Sequence, residues 1–280
     1  MKRKLHYNPW TRMLLYLFVF IVCIVTLYPY FVMFTTAAKD NSEMYALEMT
    51  ILPKDWKWSN FTEIWSAAPI LRYFVNSIIV AGGSTALAIL CGIPAAYAMA
   101  RMKFKGKGFF LGAVIMSQMF APVVLLVGIY RLMTNMGLVN NILGLILLNA
   151  AFNQAFAIWL LRGTFLSISP DMEQAAKIDG CGTVQSLTRV LIPMAAPGIV
   201  TTLIFVFINA WNEYTMALTL MSTDTLKPIT VGINAFYGQN MIQWQYLFAT
   251  SLFATIPVII LFLMIEKHLV AGLTSGGVKG

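Results

Sequence analysis

The chain has 280 residues, of which 59% are hydrophobic and 11% are charged, and its mean hydropathy is +0.75. Soluble globular domains are roughly 45–50% apolar and about 25% charged, so this chain has too little polar surface to cover a fold in water. The composition excludes an ordinary soluble enzyme, a disordered chain and a disulfide-stapled secreted module. The 19 basic residues outnumber the 11 acidic ones, and in so apolar a chain this excess indicates membrane topology before nucleic-acid binding. We therefore predict an all-α integral membrane protein in a lipid bilayer.

Uncharged stretches of the sequence give the predicted membrane spans. A helix needs about 20 residues to cross a hydrocarbon core of about 30 Å, and six stretches reach that length. The predicted spans cover residues 13–38, 73–100, 108–130, 142–161, 194–220 and 247–265. Together they make one transmembrane domain over 13–266, between an N-terminus at 1–12 and a tail at 267–280. The first apolar stretch follows a basic start but is too long for a signal peptide, so we interpret it as a retained helix.

Basic residues also predict the orientation of the chain in the membrane. Of the 19 Lys and Arg residues, 13 lie in the termini and in alternate loops that share one side, and six lie on the other side. Cytoplasmic loops carry the excess of Lys and Arg in membrane proteins. Both termini are therefore predicted to be cytoplasmic.

The predicted spans contain prolines and neutral polar residues, and no Asp, Glu, Lys or Arg lies deep inside them. Prolines are expected to kink or break the helices at Pro29, Pro94, Pro122, Pro197 and Pro257. Ion-coupled transporters usually hold an ion or a proton with buried ionisable groups, and the nearest group of that kind lies towards one end of the fifth span. The polar residues either hydrogen-bond neighbouring helices or line a path for a neutral solute such as a sugar. The candidate path residues are Asn76, Gln118, Asn153, Gln154, Asn209, Asn212, Glu213 and Tyr214.

The residues offer no set of groups for catalysis. A phosphate-binding loop needs Gly-x4-Gly-Lys-Ser/Thr, and Gly106-Lys107-Gly108 is too short and lacks the hydroxyl. The two histidines stand at opposite ends of the chain, and the three cysteines form no close pair that would suggest a zinc site or a disulfide framework. We therefore predict a non-catalytic chain that holds no metal and no cofactor, and that takes its energy from another chain.

The segment 167–193, between the fourth and fifth spans, is the most informative part of the sequence. Ser169 is expected to cap a helix that has proline at its first position, and Gly180 is expected to end it. Thr183 then starts a second short helix that is predicted to end before Pro193. The result is a helix–turn–helix outside the membrane, suited to a groove on a partner, and a plain connection is the alternative.

This segment strongly resembles the EAA loop of the membrane subunits of bacterial ABC importers. Gln174-Ala175-Ala176 is followed by three residues, Gly180, nine residues and Val190-Leu191-Ile192-Pro193, against Glu-Ala-Ala, three residues, Gly, nine residues and Ile-x-Leu-Pro in the family. The chain departs from the pattern at its first position, where the family usually has Glu, and an acidic residue precedes it. The resemblance implies that the loop docks into a cleft on an ATPase. The implied coupling residues are Glu173, Gln174, Ala175, Ala176, Asp179, Gly180 and Pro193.

The resemblance covers nearly the whole chain. Residues 95–107 and 118–120 are similar to the second and third helices of the second membrane subunit of maltose-type importers, and residues 269–280 are similar to its C-terminal tail. By composition alone the end of the chain would be a frayed terminus. The resemblance implies instead that it reaches between two ATPase subunits, through Thr274, Ser275, Gly276, Gly277 and Lys279.

The resemblance therefore implies a type I ABC permease subunit for oligosaccharides of the maltose and maltodextrin kind, in the bacterial inner membrane. Its implied partners are a second homologous permease, two cytoplasmic ATPases that bind ATP and Mg, and an extracytoplasmic sugar-binding protein. The outer loop 221–246 is expected to meet the binding protein. Two alternatives stay open: an ABC importer for a polyol or a glycerophosphodiester-type solute, and an ion-coupled secondary transporter, against which the uncharged spans and the EAA-like loop argue.

Overall fold

Helices make up most of the described chain. The computed structural model describes residues 9–48, 50–238 and 241–275, and the single β-bridge within them joins Tyr237 to Ile242. The described α-helices are α1 (Pro9–Ala37), α2 (Asn41–Met44), α3 (Asn60–Ala67), α4 (Ile70–Arg101), α5 (Lys107–Ser117), α6 (Pro122–Asn135), α7 (Ile142–Ser167), α8 (Pro170–Ile178), α9 (Thr183–Ser186), α10 (Ile192–Trp211), α11 (Thr215–Leu220), α12 (Ile229–Gly232) and α13 (Trp244–Ser275). Five described helices are long and apolar enough to cross a membrane, and α5 with α6 makes a sixth if that bent pair is one span. The predicted all-α membrane fold is confirmed.

The chain divides into two compact units, and the first consists of Met1–Ala68 and Ile233–Phe253. Its main helix, α1, is exposed at every residue from Pro9 to Phe31, and an apolar surface of that length needs lipid or another protein around it. The side-chain amide of Asn60 donates to the carbonyl oxygens of Ala37 and Lys39, at 2.9 and 2.8 Å. Because the last carbonyls of a helix have no intrahelical partner, Asn60 stabilises the end of α1.

The second unit consists of Pro69–Gly232 and Ala254–Gly280, and its centre is the packing of α4 against α7 and α10. Small side chains lie where the three helices meet: Ala88, Ala157 and Val206 are fully buried. The Ser84 hydroxyl donates to the carbonyl oxygen of Ile146 across α4 and α7, at 3.2 Å. Small residues let helix backbones approach closely in a membrane, where dispersion and interhelical hydrogen bonds drive association.

The third and fifth predicted spans are broken. Helices α5 and α6 meet at a bend of 100°, because Pro122 lacks an amide hydrogen and moves Ala121 into extended backbone, with φ −63° and ψ 129°. In the fifth span, α10 ends at Trp211 and α11 begins at Thr215. The other four prolines expected to disturb the spans lie inside continuous helices.

Two predicted helix ends differ from the structure. The helix that starts at Thr183 was expected to end before Pro193, and this prediction is wrong. A π-helical turn over Leu187–Leu191 connects α9 to α10, so one continuous helix runs from Thr183 to Trp211 and Pro193 lies inside it. The last helix also continues past the predicted span to Ser275, so Thr274 and Ser275 end it, while Gly276, Gly277 and Lys279 lie outside the described residues.

Two glycines of α7 provide a test of this packing. A methyl group at Gly144 would lie 2.3 Å from the backbone oxygen of Leu138, whereas nothing lies within 4 Å of the corresponding position at Gly163. We expect Gly144→Ala to lower the free energy of unfolding by about 1–3 kcal/mol, as overpacking does. Gly163→Ala should raise it by ~1 kcal/mol because alanine is the better helix former. Thermal unfolding in detergent measures both, and a midpoint for Gly144→Ala at or above that of Gly163→Ala would contradict the contact.

Candidate functional site

The projecting segment between α7 and α10 is built by local backbone rules. The Ser169 hydroxyl accepts from the amide of Asp171 at 3.3 Å, and Pro170 opens α8, as the sequence predicts. At the other end Gly180 has a φ of +85°, its amide donates to the carbonyl of Lys177, and the amide of Cys181 donates to the carbonyl of Ala176. These two bonds form a Schellman motif, which ends a helix at a left-handed glycine. The predicted start and end of α8 are confirmed.

The predicted coupling residues divide between two faces of this segment. The side chains of Glu173 and Ala176 are buried against the bundle. The remaining ones are exposed: Gln174, Ala175, Asp179, Gly180 and Pro193. Large apolar side chains are exposed beside them, with Ile178 at 86% and Val184 at 73%. We call this surface, at Ile178, Val184 and the exposed predicted residues, the docking face, because exposed apolar groups on a small projection are typical of an interaction site.

Glu173 lies at the centre of a buried polar cluster that ties α8 to α4. Its Oε1 accepts from the Tyr97 hydroxyl at 2.9 Å and from Lys177 Nζ at 2.9 Å, and its Oε2 lies 3.7 Å from Arg101 Nε. Arg101 also donates to the carbonyl oxygen of Ile168, at 2.6 Å. Burial opposes ionisation of Glu173, but the hydrogen bonds from Lys177 and Tyr97 and the nearby cationic charges outweigh it and lower the pKa of this carboxyl. The cluster holds a carboxylate and fixes the base of the docking face.

Sequence reasoning missed Tyr97 and Arg101. They lie at the end of α4, four residues apart, so they share one face of that helix. A tyrosine and an arginine at that spacing at the end of an apolar span are a signal of an anchoring site, but the sequence does not show that Glu173 is their partner.

Three of the candidate path residues have hydrogen-bond partners inside the bundle. Asn76 is buried and donates to the carbonyl oxygens of Thr225 and Lys227, at 2.9 and 3.0 Å. Asn153 donates to the carbonyl of Asn149 in its own helix. Gln154, with its amide turned to satisfy both neighbours, donates to the carbonyl of Ala88 and accepts from the amide of Gly92. For these three residues the contacts favour helix packing over a solute path.

Gln118 lies at the break between α5 and α6. Its side chain is exposed and donates to the carbonyl oxygen of Phe152 on α7, at 3.2 Å. It borders a cavity of about 490 Å³, whose lining also includes Ser117, Phe120 and Phe152. An apolar cavity with a few polar groups is the usual form of a small-molecule site. Of the remaining path residues, Asn209, Asn212 and Tyr214 are exposed.

Glu213 has a structural task at the break between α10 and α11. Its carboxylate accepts from the amides of Met216 and Ala217, at 2.7 and 3.0 Å, and its own carbonyl accepts from the Thr230 hydroxyl at 2.9 Å. Because the first amides of a helix lack intrahelical partners, a carboxylate placed there stabilises the helix start. The contacts show a cap at this position.

Several helices that are long and apolar enough to cross a membrane, one of them a bent pair, and a projecting helix–turn–helix together define a multi-pass membrane protein. The family profile of the binding-protein-dependent transport system inner membrane components matches residues 88–275. The chain belongs to this family, whose members are ABC transporter permeases, and it is a non-catalytic, multi-pass membrane subunit.

Several relatives resemble the chain over most of its length. It is 35% identical to the probable ABC transporter permease YurM of Bacillus subtilis, over 99% of this chain and 91% of YurM. It is 35% identical to the trehalose transport permease SugB of Mycobacterium tuberculosis, over 82% of this chain and 85% of SugB. It is 30% identical to the diacetylchitobiose uptake permease DasC of Streptomyces coelicolor, over the whole of both chains.

A solved structure shows the same fold. A chain of a bacterial ABC transporter that imports alginate superposes with a TM-score of 0.78 at 22% identity, over 93% of this chain and 98% of that one. At that identity the match shows the fold alone. The identification of the chain as an ABC importer permease is confirmed.

The cap at Glu213 gives a local prediction. Glu213→Ala removes the acceptor of two amides, so hydrogen exchange at Met216 and Ala217 should become about five- to thirtyfold faster, the equivalent of ~1–2 kcal/mol for a lost cap. Mass spectrometry of peptides that cover α11 measures the rates. Asn212→Ala, a change at an exposed neighbour, serves as the control, and equal rates in the two variants would contradict the capping role.

Proposed function

We propose that this chain is one of two membrane subunits of an ATP-driven importer of oligosaccharides and forms half of the translocation path. Family membership supports the dependence on a binding protein. The relatives SugB and DasC are named as permeases for trehalose and for diacetylchitobiose, which are both disaccharides. These names support oligosaccharides as a class, and they give no support to the finer expectation of maltose or maltodextrin.

The cavity beside Gln118 supports a neutral cargo. Ser117 and Gln118 supply polar groups, Phe120 and Phe152 supply aromatic surface for a sugar ring, and the lining contains no Lys or Arg. A phosphate-bearing cargo such as a glycerophosphodiester would favour a cation at such a site. We place Gln118, and the exposed Asn209, Asn212 and Tyr214, on the path as a proposal, and a polyol remains the second candidate cargo.

The docking face supports coupling to an ATPase. Ile178 and Val184 present apolar surface on two short helices. The 13 Lys and Arg residues in the termini and in the loops on the same side, against six on the other side, support a cytoplasmic position for this segment and for both termini of the proposed inner-membrane protein. Closure of two ATPases on ATP and Mg would move α8 and favour one of two packings of the bundle, because a ligand shifts an equilibrium only through differential contacts. The loop 221–246 would meet the binding protein, and the tail from Thr274 would reach between the ATPases.

Co-purification tests the assembly. The chain, tagged at its N-terminus and extracted from native membranes in mild detergent, should bring down a second permease and an ATPase that carries a phosphate-binding loop. Stimulation of ATP hydrolysis by the binding protein with trehalose, diacetylchitobiose and a polyol in turn then identifies the cargo. Recovery of the chain alone, or only with copies of itself, would overturn the proposal.

The docking face gives a sharper prediction. Ile178→Asp places a carboxylate in the proposed apolar contact, so recovery of the ATPase should fall at least about tenfold, as expected for a change at an interface hot spot. Leu47→Asp is the matched control, because Leu47 is also a strongly exposed aliphatic residue but lies between the first and second predicted spans, on the side of the membrane opposite the two predicted cytoplasmic termini. Quantitative mass spectrometry of the purified complexes measures the ratio of ATPase to permease. Unchanged recovery with Ile178→Asp would remove Ile178 from the docking face.

A further inference from the structure

Glu173 faces the opposite way from the docking face. It is 7% exposed, whereas its neighbour Gln174 is exposed and Ile178 is 86% exposed. A side chain turned into the bundle, with Tyr97 and Arg101 of α4 around it, cannot serve mainly to contact a partner. Its contacts join the projecting helix to the helix that packs most extensively against α7 in the bundle.

The cluster is incompletely closed in this structure. Among the described residues, Arg101 Nε is buried without a hydrogen-bond partner, and it stands 3.7 Å from Glu173 Oε2. A charge-assisted N–H···O bond is about 2.7–2.9 Å long, so a shift of about 1 Å between α8 and α4 would close this contact. A buried donor without a partner raises the free energy of the arrangement that contains it. A small movement of α8 therefore changes the energy of the cluster.

The second oxygen of Glu173 keeps the two helices together while that contact opens or closes. Tyr97 donates to Oε1 at 2.9 Å, and the Tyr97 ring packs edge-on against Phe165, with ring centroids 6.3 Å apart. Tyr97 is 4% exposed and Phe165 is fully buried. Oε1 thus holds α8 to Tyr97, which is a buried residue of α4, while the distance between Oε2 and Arg101 Nε can change with the position of α8.

We propose that Glu173 is the positioning residue through which movement of α8 reaches α4, and that closure of its contact with Arg101 Nε favours one of two arrangements of the bundle. The inference rests on the proposed function, because the movement of α8 comes from the ATPase. It assigns the transmission of that movement to a named carboxylate, distinct from the exposed residues that dock. Packed elements with two discrete arrangements are what convert small shifts into larger ones.

Hydrogen exchange in the intact importer tests the transmission without knowledge of the cargo. The purified importer in lipid nanodiscs is compared with and without the magnesium complex of a non-hydrolysable ATP analogue. In the wild type the analogue should change the exchange rates of both α8 and the 97–101 end of α4. With Glu173→Gln the α8 response should persist and the α4 response should fall at least about fivefold, the lower bound of typical coupling energies. If Glu173 only stabilised the fold, Glu173→Gln would raise the exchange rates equally with and without the analogue.

Three variants and the wild type make every outcome decisive. Lys177→Gln removes the half-exposed cation on the same carboxylate and should leave the α4 response within about twofold of wild type, since exposed pairs contribute little. Tyr97→Phe keeps the ring packing and should at least halve the response, and it decides the question if the Glu173→Gln importer does not assemble. A wild-type α4 response in Glu173→Gln, or in Tyr97→Phe where that variant decides, would overturn the inference. If the exchange rates of α8 in the wild type are the same with and without the analogue, the proposed function itself is overturned.

Discussion

Every backbone amide and carbonyl in a hydrocarbon environment must find its partner inside the protein, and the architecture of this chain depends on that constraint. Continuous helices meet it without help from side chains. The α10–α11 break meets it with a side chain that the sequence analysis named as a candidate for a solute path, because the carboxylate of Glu213 accepts the first amides of α11. At the α5–α6 break, the backbone amides of Gln118 and Met119 donate to the carbonyls of Ile115 and Met116.

The same constraint explains why the break at Pro122 leaves a cavity. Proline removes one donor and the residue before it leaves the helical region, so the chain turns by 100° and the two half-helices no longer fill the space beside α7. Gln118 and Ser117 then border that space with side chains that retain hydrogen-bonding capacity. The break therefore places hydrogen-bonding side chains beside an apolar cavity.

Local rules predicted much of the fold, and contacts between distant residues account for the rest. The start of α8 at Ser169 and its end at Gly180 follow from capping and from a positive φ, which depend on a few neighbouring residues. The continuation past Pro193 was mispredicted because a π-helical turn over Leu187–Leu191, which no composition rule detects, joins α9 to α10 without a break. Partners far apart in the chain, such as Glu173 with Tyr97 and Arg101, were missed because only the folded bundle brings them together.

Two adjacent residues of α8 face different surroundings: Glu173 is buried against the bundle and Gln174 is exposed. Successive side chains of an α-helix point about 100° apart, so Glu173 can face the bundle while Gln174 faces outward. The family pattern usually has Glu at the outward position, and this chain keeps its acid one residue earlier. The inward carboxylate needs its charge, because Arg101 is buried beside it and would otherwise lack a counter-ion. The outward glutamine amide carries no charge and can donate as well as accept a hydrogen bond. The departure from the family pattern therefore changes the exposed face of α8 and leaves the buried contacts of α8 with α4 intact.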